Sequence, residues 1–257
     1  MLEHGGRLRA AAAHYGIPTG EWLDLSTGIN PDPWPVPPLP ASAWQRLPED
    51  DDGLEAAAAS AYGNPGLLPV AGSQAAIQLL PALLPRAAVA CVSPLYAEHP
   101  HCWQKAGHRV RLITGSLSRA LAAATPYVLL CNPNNPTATA HTRAALLHAA
   151  SELKRRGGWL IVDEAFIDPT PDDSVADLAG TPAAPRLIVL RSLGKFFGLA
   201  GARVGFVLAA AELLQRMRAE LGPWTVSGPA RSVARLALAD LDWQRTARHR
   251  QIGRAHA

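Results

Sequence analysis

Three runs in the second half of the chain carry consecutive apolar residues: WLIVDEAF (Trp159–Phe166), RLIVLRS (Arg186–Ser192) and ARVGFVLA (Ala202–Ala209). A strand with one wet face alternates apolar and polar residues, whereas a strand covered on both faces does not. These runs therefore read as strands buried between helix layers. Similar short runs stand at Ala88–Ser93, Arg109–Ile113 and Tyr127–Cys131. Helical spacing separates them over Ser73–Leu84 and over Thr142–Arg156, where Gly157 and Gly158 stop the helix. Further helices are expected at Ala211–Leu221 and Pro229–Leu241, and a short one around Leu8–His14. Strands alternating with helices imply an α/β fold with a mostly parallel sheet.

Polar residues gather where these runs end: Asn132 and Asn135, Asp163 and Glu164, Ser192 and Lys195. Open α/β sheets bind ligands beyond the carboxyl ends of their strands, so three such clusters point to one site. Asp163 closes an apolar run, where a carboxylate is costly unless it meets a cation. It could cap a helix or pair with a side chain, or it could face a protonated heteroaromatic nitrogen. Lys195 adjoins Phe196 and Phe197. It could be a solvated loop lysine, or apolar surroundings could favour its neutral, nucleophilic form. The string LGKFFG departs from a phosphate-binding loop because Phe196 stands where Ser or Thr is required. No G-x-G-x-x-G follows the first strand, which argues against a plain dinucleotide-binding protein.

Net charge is +3 over 257 residues, with no basic run interleaved with aromatics, so nucleic acid is not an expected partner. Cys91, Cys102 and Cys131 show no metal-ligand spacing and read as reduced thiols, with no metal site expected. Glu3, His4, Arg7 and Arg9 leave no apolar leader at the start. The longest apolar stretch, Ala75–Val92, is broken by Gln78, Pro81, Pro85 and Arg86 and is not expected to span a membrane. A cytoplasmic location follows as an expectation. Residues 28–40, GINPDPWPVPPLP, favour extended and polyproline conformations, as in an arm or linker.

Taken together and in order, CNPNNPT around Asn135, VDEAF around Asp163, SLGKFFGLAGARVG around Lys195 and Arg203 eight residues beyond the lysine resemble the fold-type I pyridoxal-phosphate enzymes. The likeness runs from about residue 3 to residue 243. It implies an aspartate-aminotransferase-like large domain over 41–225, an N-terminal arm over 1–40 and the start of an incomplete C-terminal small domain over 226–257. It also implies pyridoxal 5'-phosphate as cofactor and a homodimer. Lys195 would bond the cofactor and shuttle protons. Asp163 would pair with the ring nitrogen and Asn135 with the phenolic oxygen. Gly72, Ser73 and Gln74, opening a helix, would hold the phosphate, with Ser192 and Arg203 completing the clamp. Aligned on Pro94 in SPLYAEH, the residue stacked on the ring falls on His99, with Tyr96 one turn earlier. Two departures stand out: Phe166 occupies a position that is often Tyr and cannot donate a hydrogen bond, and Gly194 occupies one that is often Ser or Thr.

EHGGRLRAAAAHYG and LDLSTGINPDPWP further resemble the threonine-phosphate decarboxylase group of cobalamin biosynthesis. That resemblance implies a phosphorylated amino acid substrate contacted by His4, Gly5, Asn135 and the position of Gly28, where the group carries Asn. The expected reaction is decarboxylation of O-phospho-L-threonine to (R)-1-amino-2-propanol phosphate. An aminotransferase of the histidinol-phosphate or aromatic type is the alternative. The tail QIGRAHA is unlike the family's ending and suggests a truncated or frame-shifted chain, so an inactive remnant of the fold is a third possibility.

Overall fold

The computed structural model describes residues 2–255. His256 and Ala257, which close the QIGRAHA tail, lie outside the described residues. In chain order, helices α1 (Leu8–Tyr15), α2 (Ser42–Gln45) and α3 (Leu54–Tyr62) precede strand β1 (Leu67–Val70) and helix α4 (Ser73–Leu83). Strand β2 (Ala88–Ser93), helix α5 (Glu98–Lys105), strand β3 (Arg109–Thr114), helix α6 (Leu117–Ala122) and strand β4 (Tyr127–Cys131) follow. Helix α7 (Arg143–Arg155), strands β5 (Trp159–Asp163), β6 (Leu187–Ser192) and β7 (Gly205–Leu208), and helices α8 (Ala211–Leu221), α9 (Gly228–Ala239) and α10 (Leu241–Ala255) complete the order. Thr142 caps α7 by accepting from the Ala145 amide, as a threonine before an apolar-periodic run should.

The seven strands form one sheet in the order β1-β7-β6-β5-β4-β2-β3. Strands β2 to β6 run parallel, while β7 is antiparallel to both β6 and β1. The Ala202–Ala209 run is thus a strand of opposite direction. The segment joining β6 to β7 carries only the short 3-10 turn Ala200–Ala202. A parallel return requires a longer crossover, usually a helix. Strand β1 was not legible in the sequence because LLPV contains Pro69. A proline removes a ladder donor, and β1 sits at the sheet edge, where that loss is tolerated. The other edge is β3, whose Arg109 and Arg111 are exposed, so this run is not covered on both faces.

The apolar runs pack as expected of doubly covered strands. Alternate residues feed two cores: Val128, Leu130, Leu160, Val162 and Val189 face one, and Leu129, Ile161, Ile188 and Leu190 the other. Helices α3, α7 and α9 cover the first face, and α4, α5 and α8 cover the second.

A buried ion cluster clamps the ends of β5 and β6. Arg191, 3% exposed, donates through Nη1 to Glu164 Oε2 at 3.1 Å and through Nη2 to Asp168. Glu164 also accepts from the Val175 amide at 2.9 Å and from the Ser174 hydroxyl. The guanidinium lies 4.5 Å from the centre of the Tyr62 ring. Removing the cation strands two buried carboxylates, which typically costs about 3–5 kcal/mol. Arg191→Ala should therefore lower the urea midpoint markedly with an unchanged denaturant slope. A midpoint within error of the parent would refute this role for the cluster.

Candidate active site

The loop after β6 carries Lys195, and the proline-dense arm holds that loop. Lys195 O accepts from the Asn30 amide at 3.0 Å, and Asn30 Nδ2 donates to Phe196 O at 2.8 Å. The Trp34 amide donates to Phe197 O at 2.9 Å. The prolines lack N–H groups, so the non-proline residues between them supply the donors. Gly198, at φ +69°, closes the contact. A Cβ there would lie 2.6 Å from Pro33 Cβ. The stretch is thus a brace for the lysine loop, beyond the arm or linker suggested by its composition.

Lys195, Asp163, Asn135, Ser192, Ser73, Gln74 and Arg203 line one cavity. All come from strand ends or the loops and helix start beside them, as the clusters in the sequence indicated. Lys195 Nζ lies 5.2 Å from the centre of the Phe166 ring. Burial pulls the Lys195 ammonium below the usual lysine range and Arg203 adds to the depression, while Asp163 opposes it. Asp163 Oδ1 accepts from the Ala165 amide at 3.0 Å.

The other Asp163 oxygen is met by His99, the residue expected to stack on the cofactor ring. His99 is 1% exposed and does not line the cavity; its Nε2 lies 2.8 Å from Asp163 Oδ2. The imidazole meets the carboxylate from the side away from the cavity. Tyr96 and Phe166 are the aromatic residues among those that line the cavity. Tyr96 precedes α5, whereas His99 lies within its first turn and faces the protein interior.

At one end of the cavity two glycines let Arg203 and β7 pack closely against the start of α4. Gly72, at φ +73°, precedes α4, and a Cβ there would lie 2.5 Å from Arg203 Nη2. A Cβ on Gly205 would lie 2.4 Å from the Ser73 amide nitrogen. Arg203 itself adopts a left-handed backbone, φ +54°. That conformation costs on the order of 1–3 kcal/mol and brings the guanidinium to the start of α4. Free N–H groups, the helix dipole and a guanidinium together form an anion cradle. The Gln74 side chain donates to Glu98 Oε2 at 2.9 Å, which leaves the expected backbone N–H role of Gln74 untouched.

His4, Gly5 and Gly28 line an adjoining cavity that shares Tyr96, Asn135, Phe166 and Lys195 with the first. The structure therefore brings the expected substrate-side residues to the same lysine. A Cβ on Gly28 would lie 2.9 Å from Phe166 Cε1. Gly28 and Phe166, each a departure from the resembled pattern, thus meet, with the Phe166 ring edge against position 28. Asn30 was missed as a site-supporting residue, although it is the one amide side chain within the proline-dense stretch.

Residues 45–256 match the family model for aminotransferase class I and II. A threonine-phosphate decarboxylase of Pseudomonas aeruginosa is 55% identical over 245 residues, 95% of this chain and 73% of that protein. A threonine-phosphate decarboxylase of a Sinorhizobium species is 46% identical over 91% of this chain and 71% of its own length. The crystal structure of histidinol-phosphate aminotransferase from Sinorhizobium meliloti in complex with pyridoxal-5'-phosphate superposes with a TM-score of 0.78 at 22% identity, covering 96% of this chain and 71% of that one. Fold and site define an open-sheet α/β protein with a depressed lysine, a supported carboxylate and an anion cradle around one cavity. The chain belongs to the aminotransferase class I and II family.

Two outcomes follow from this geometry. Gly72→Ala adds a methyl group at a left-handed φ and in contact with Arg203, so inorganic phosphate should bind at least about tenfold more weakly, measured by calorimetry. Unchanged affinity would contradict the cradle. For Lys195, the folded protein holds its proton less tightly than the unfolded chain. Folding is therefore penalised below the lowered value, and stability recovers as pH rises from there to the ordinary lysine value. Lys195→Met should lack this alkaline recovery relative to the parent in urea titrations across that window; parallel curves would refute it.

Proposed function

We propose that this chain is a pyridoxal-phosphate-dependent decarboxylase that converts O-phospho-L-threonine to (R)-1-amino-2-propanol phosphate in cobalamin biosynthesis. The observation that carries this reading is the 55% identity, over 95% of the chain, to a protein named for that activity. The joined cavities support it, since His4, Gly5 and Gly28 open onto the same Lys195 as the anion cradle.

The residues fit the cofactor. The start of α4, with Arg203 held close to it across Gly72, suits its phosphate, with Ser73 and Ser192 as further donors in the cavity lining. Asp163, backed by His99, suits the ring nitrogen; Asn135 suits the phenolic oxygen; Tyr96 suits the face of the ring. Bound there, pyridoxal phosphate supplies an electron sink for charge left at a substrate's α-carbon.

The chain's own groups perform the rest. Lys195 is only partly exposed and its proton affinity is depressed, so its amine reaches the neutral, nucleophilic form more readily. As carbon dioxide leaves, the bonding pair stays with the α-carbon, and Lys195 Nζ, having taken up a proton from the incoming substrate ammonium, would return it to that carbon. Phe166 keeps the amine beside an apolar ring and offers no competing hydroxyl.

The same reading takes residues 41–225 as the cofactor-holding unit, 1–40 as an arm and 226–257 as a C-terminal segment. It also makes the protein a homodimer. Tyr15, Ile17, Leu23, Leu25, Trp44 and Leu47 are large apolar residues left exposed within the first 47 positions. Apolar surface gathered in one part of a chain marks a protein contact. No helix among the described residues is long and apolar enough to cross a membrane, and the three cysteines are free and buried. These observations accord with a cytoplasmic enzyme.

Given cofactor and O-phospho-L-threonine, the protein should release carbon dioxide. Transfer of an amino group from histidinol phosphate to 2-oxoglutarate, without carbon dioxide from phosphothreonine, would overturn the assignment. Lys195→Ala should abolish both turnover and the absorbance of lysine-bound cofactor near ~420 nm; a retained band would refute the role of Lys195.

A further inference from the structure

One carboxylate outside both cavities joins their two ends. Glu98 opens α5, and its side chain is 12% exposed. Its Oε1 lies 2.6 Å from His4 Nε2, and its Oε2 accepts from Gln74 Nε2 at 2.9 Å. Cys102 Sγ makes a longer contact to the same Oε2 at 3.7 Å. Gln74 belongs to the first turn of α4, where the anion cradle lies, whereas His4 lines the adjoining substrate-side cavity. The two partners stand 24 and 94 residues away from Glu98 in sequence, so only the fold brings them together.

We propose that Glu98 is a positioning residue that fixes His4 at the substrate-side cavity and thereby sets affinity for the phosphorylated substrate. This rests on the reading of the substrate as a phosphorylated amino acid. The His4 side chain is 43% exposed, so few contacts besides Glu98 hold its ring. Its other neighbour is the Tyr96 ring, with centroids 6.0 Å apart. The backbone beside it is anchored once, where the Gly6 amide donates to Ser26 Oγ at 2.8 Å. Without Glu98 the imidazole would keep its backbone tether and lose its direction. Burial pushes the Glu98 carboxyl upward, but the bonds from His4 and Gln74 outweigh it and hold the group below the usual carboxylate range. The ionised carboxylate accepts from two sides at once and so fixes the direction of the imidazole. Glu98 touches neither cavity, so it acts through His4.

The test is a set of holoenzyme variants assayed with O-phospho-L-threonine: Glu98→Ala, Glu98→Gln, His4→Ala and the Glu98→Ala/His4→Ala double variant. One partly exposed, charge-assisted bond is at stake, so Glu98→Ala should raise KM about five- to tenfold with kcat within about twofold. Glu98→Gln, which keeps an acceptor oxygen, should recover part of that loss. The double variant should be no worse than His4→Ala alone. Multiplicative losses, a fall in kcat matching the rise in KM, or weakened cofactor binding would each overturn the proposal, the last by showing that Glu98 acts through Gln74. Hydrogen exchange needs no turnover. Inorganic phosphate should protect residues 4–6 of the parent holoenzyme and fail to protect them in Glu98→Ala; equal protection in both would refute the proposal. If the parent does not decarboxylate phosphothreonine, the functional assignment fails while the exchange experiment still decides the role of Glu98.

Discussion

The pairing of Arg191 with Glu164 and Asp168 underlies the geometry of the whole site. Successive residues of a strand point to opposite faces. Arg191 therefore directs its charge to one side of β6 while Ser192, the next residue, reaches the cavity. Glu164 likewise follows Asp163, which reaches the cavity from the end of β5. The ion cluster holds the two strand ends together from one side, and the site is assembled on the other. A buried cation between two carboxylates is not a large net source of stability, yet its loss is severe because each partner would be left unpaired. Its contribution here is to fix position.

A second constraint comes from the arm. Asn30 and Trp34 bond the backbone of the lysine loop, and Gly198 lets Pro33 approach closely enough for them to do so. Prolines restrict the arm before folding, so less entropy is lost when it docks. The same segment brings Gly28 against Phe166, so the two departures from the family pattern meet in one contact.

Much of the site could be read from residues alone because its parts lie at strand ends, and buried strands announce themselves by continuous apolar runs. Asp163, Ser192, Lys195 and Asn135 were legible in this way. The surroundings of His99 were not legible in this way. Alignment by spacing places a residue along the chain but does not say which side of a helix turn faces a cavity, and Tyr96 and His99 are separated by that turn. The direction of β7 and the presence of β1 also lay beyond reach, since strand direction depends on connection length and an edge strand may carry a proline that an interior strand would not.

The sequence by itself determined that this chain folds as an α/β layer structure with polar groups converging on Lys195, because doubly buried strands need unbroken apolar runs and polar residues can end them. Tertiary structure alone decided which of those groups face a ligand and which support it. His99 turned inward to Asp163, Tyr96 turned to the cavity, Gln74 turned to Glu98, and the proline-dense arm folded onto the lysine loop. Each of these choices depends on contacts between residues far apart in the chain. Such contacts exist only once the two cores on either face of the sheet have closed.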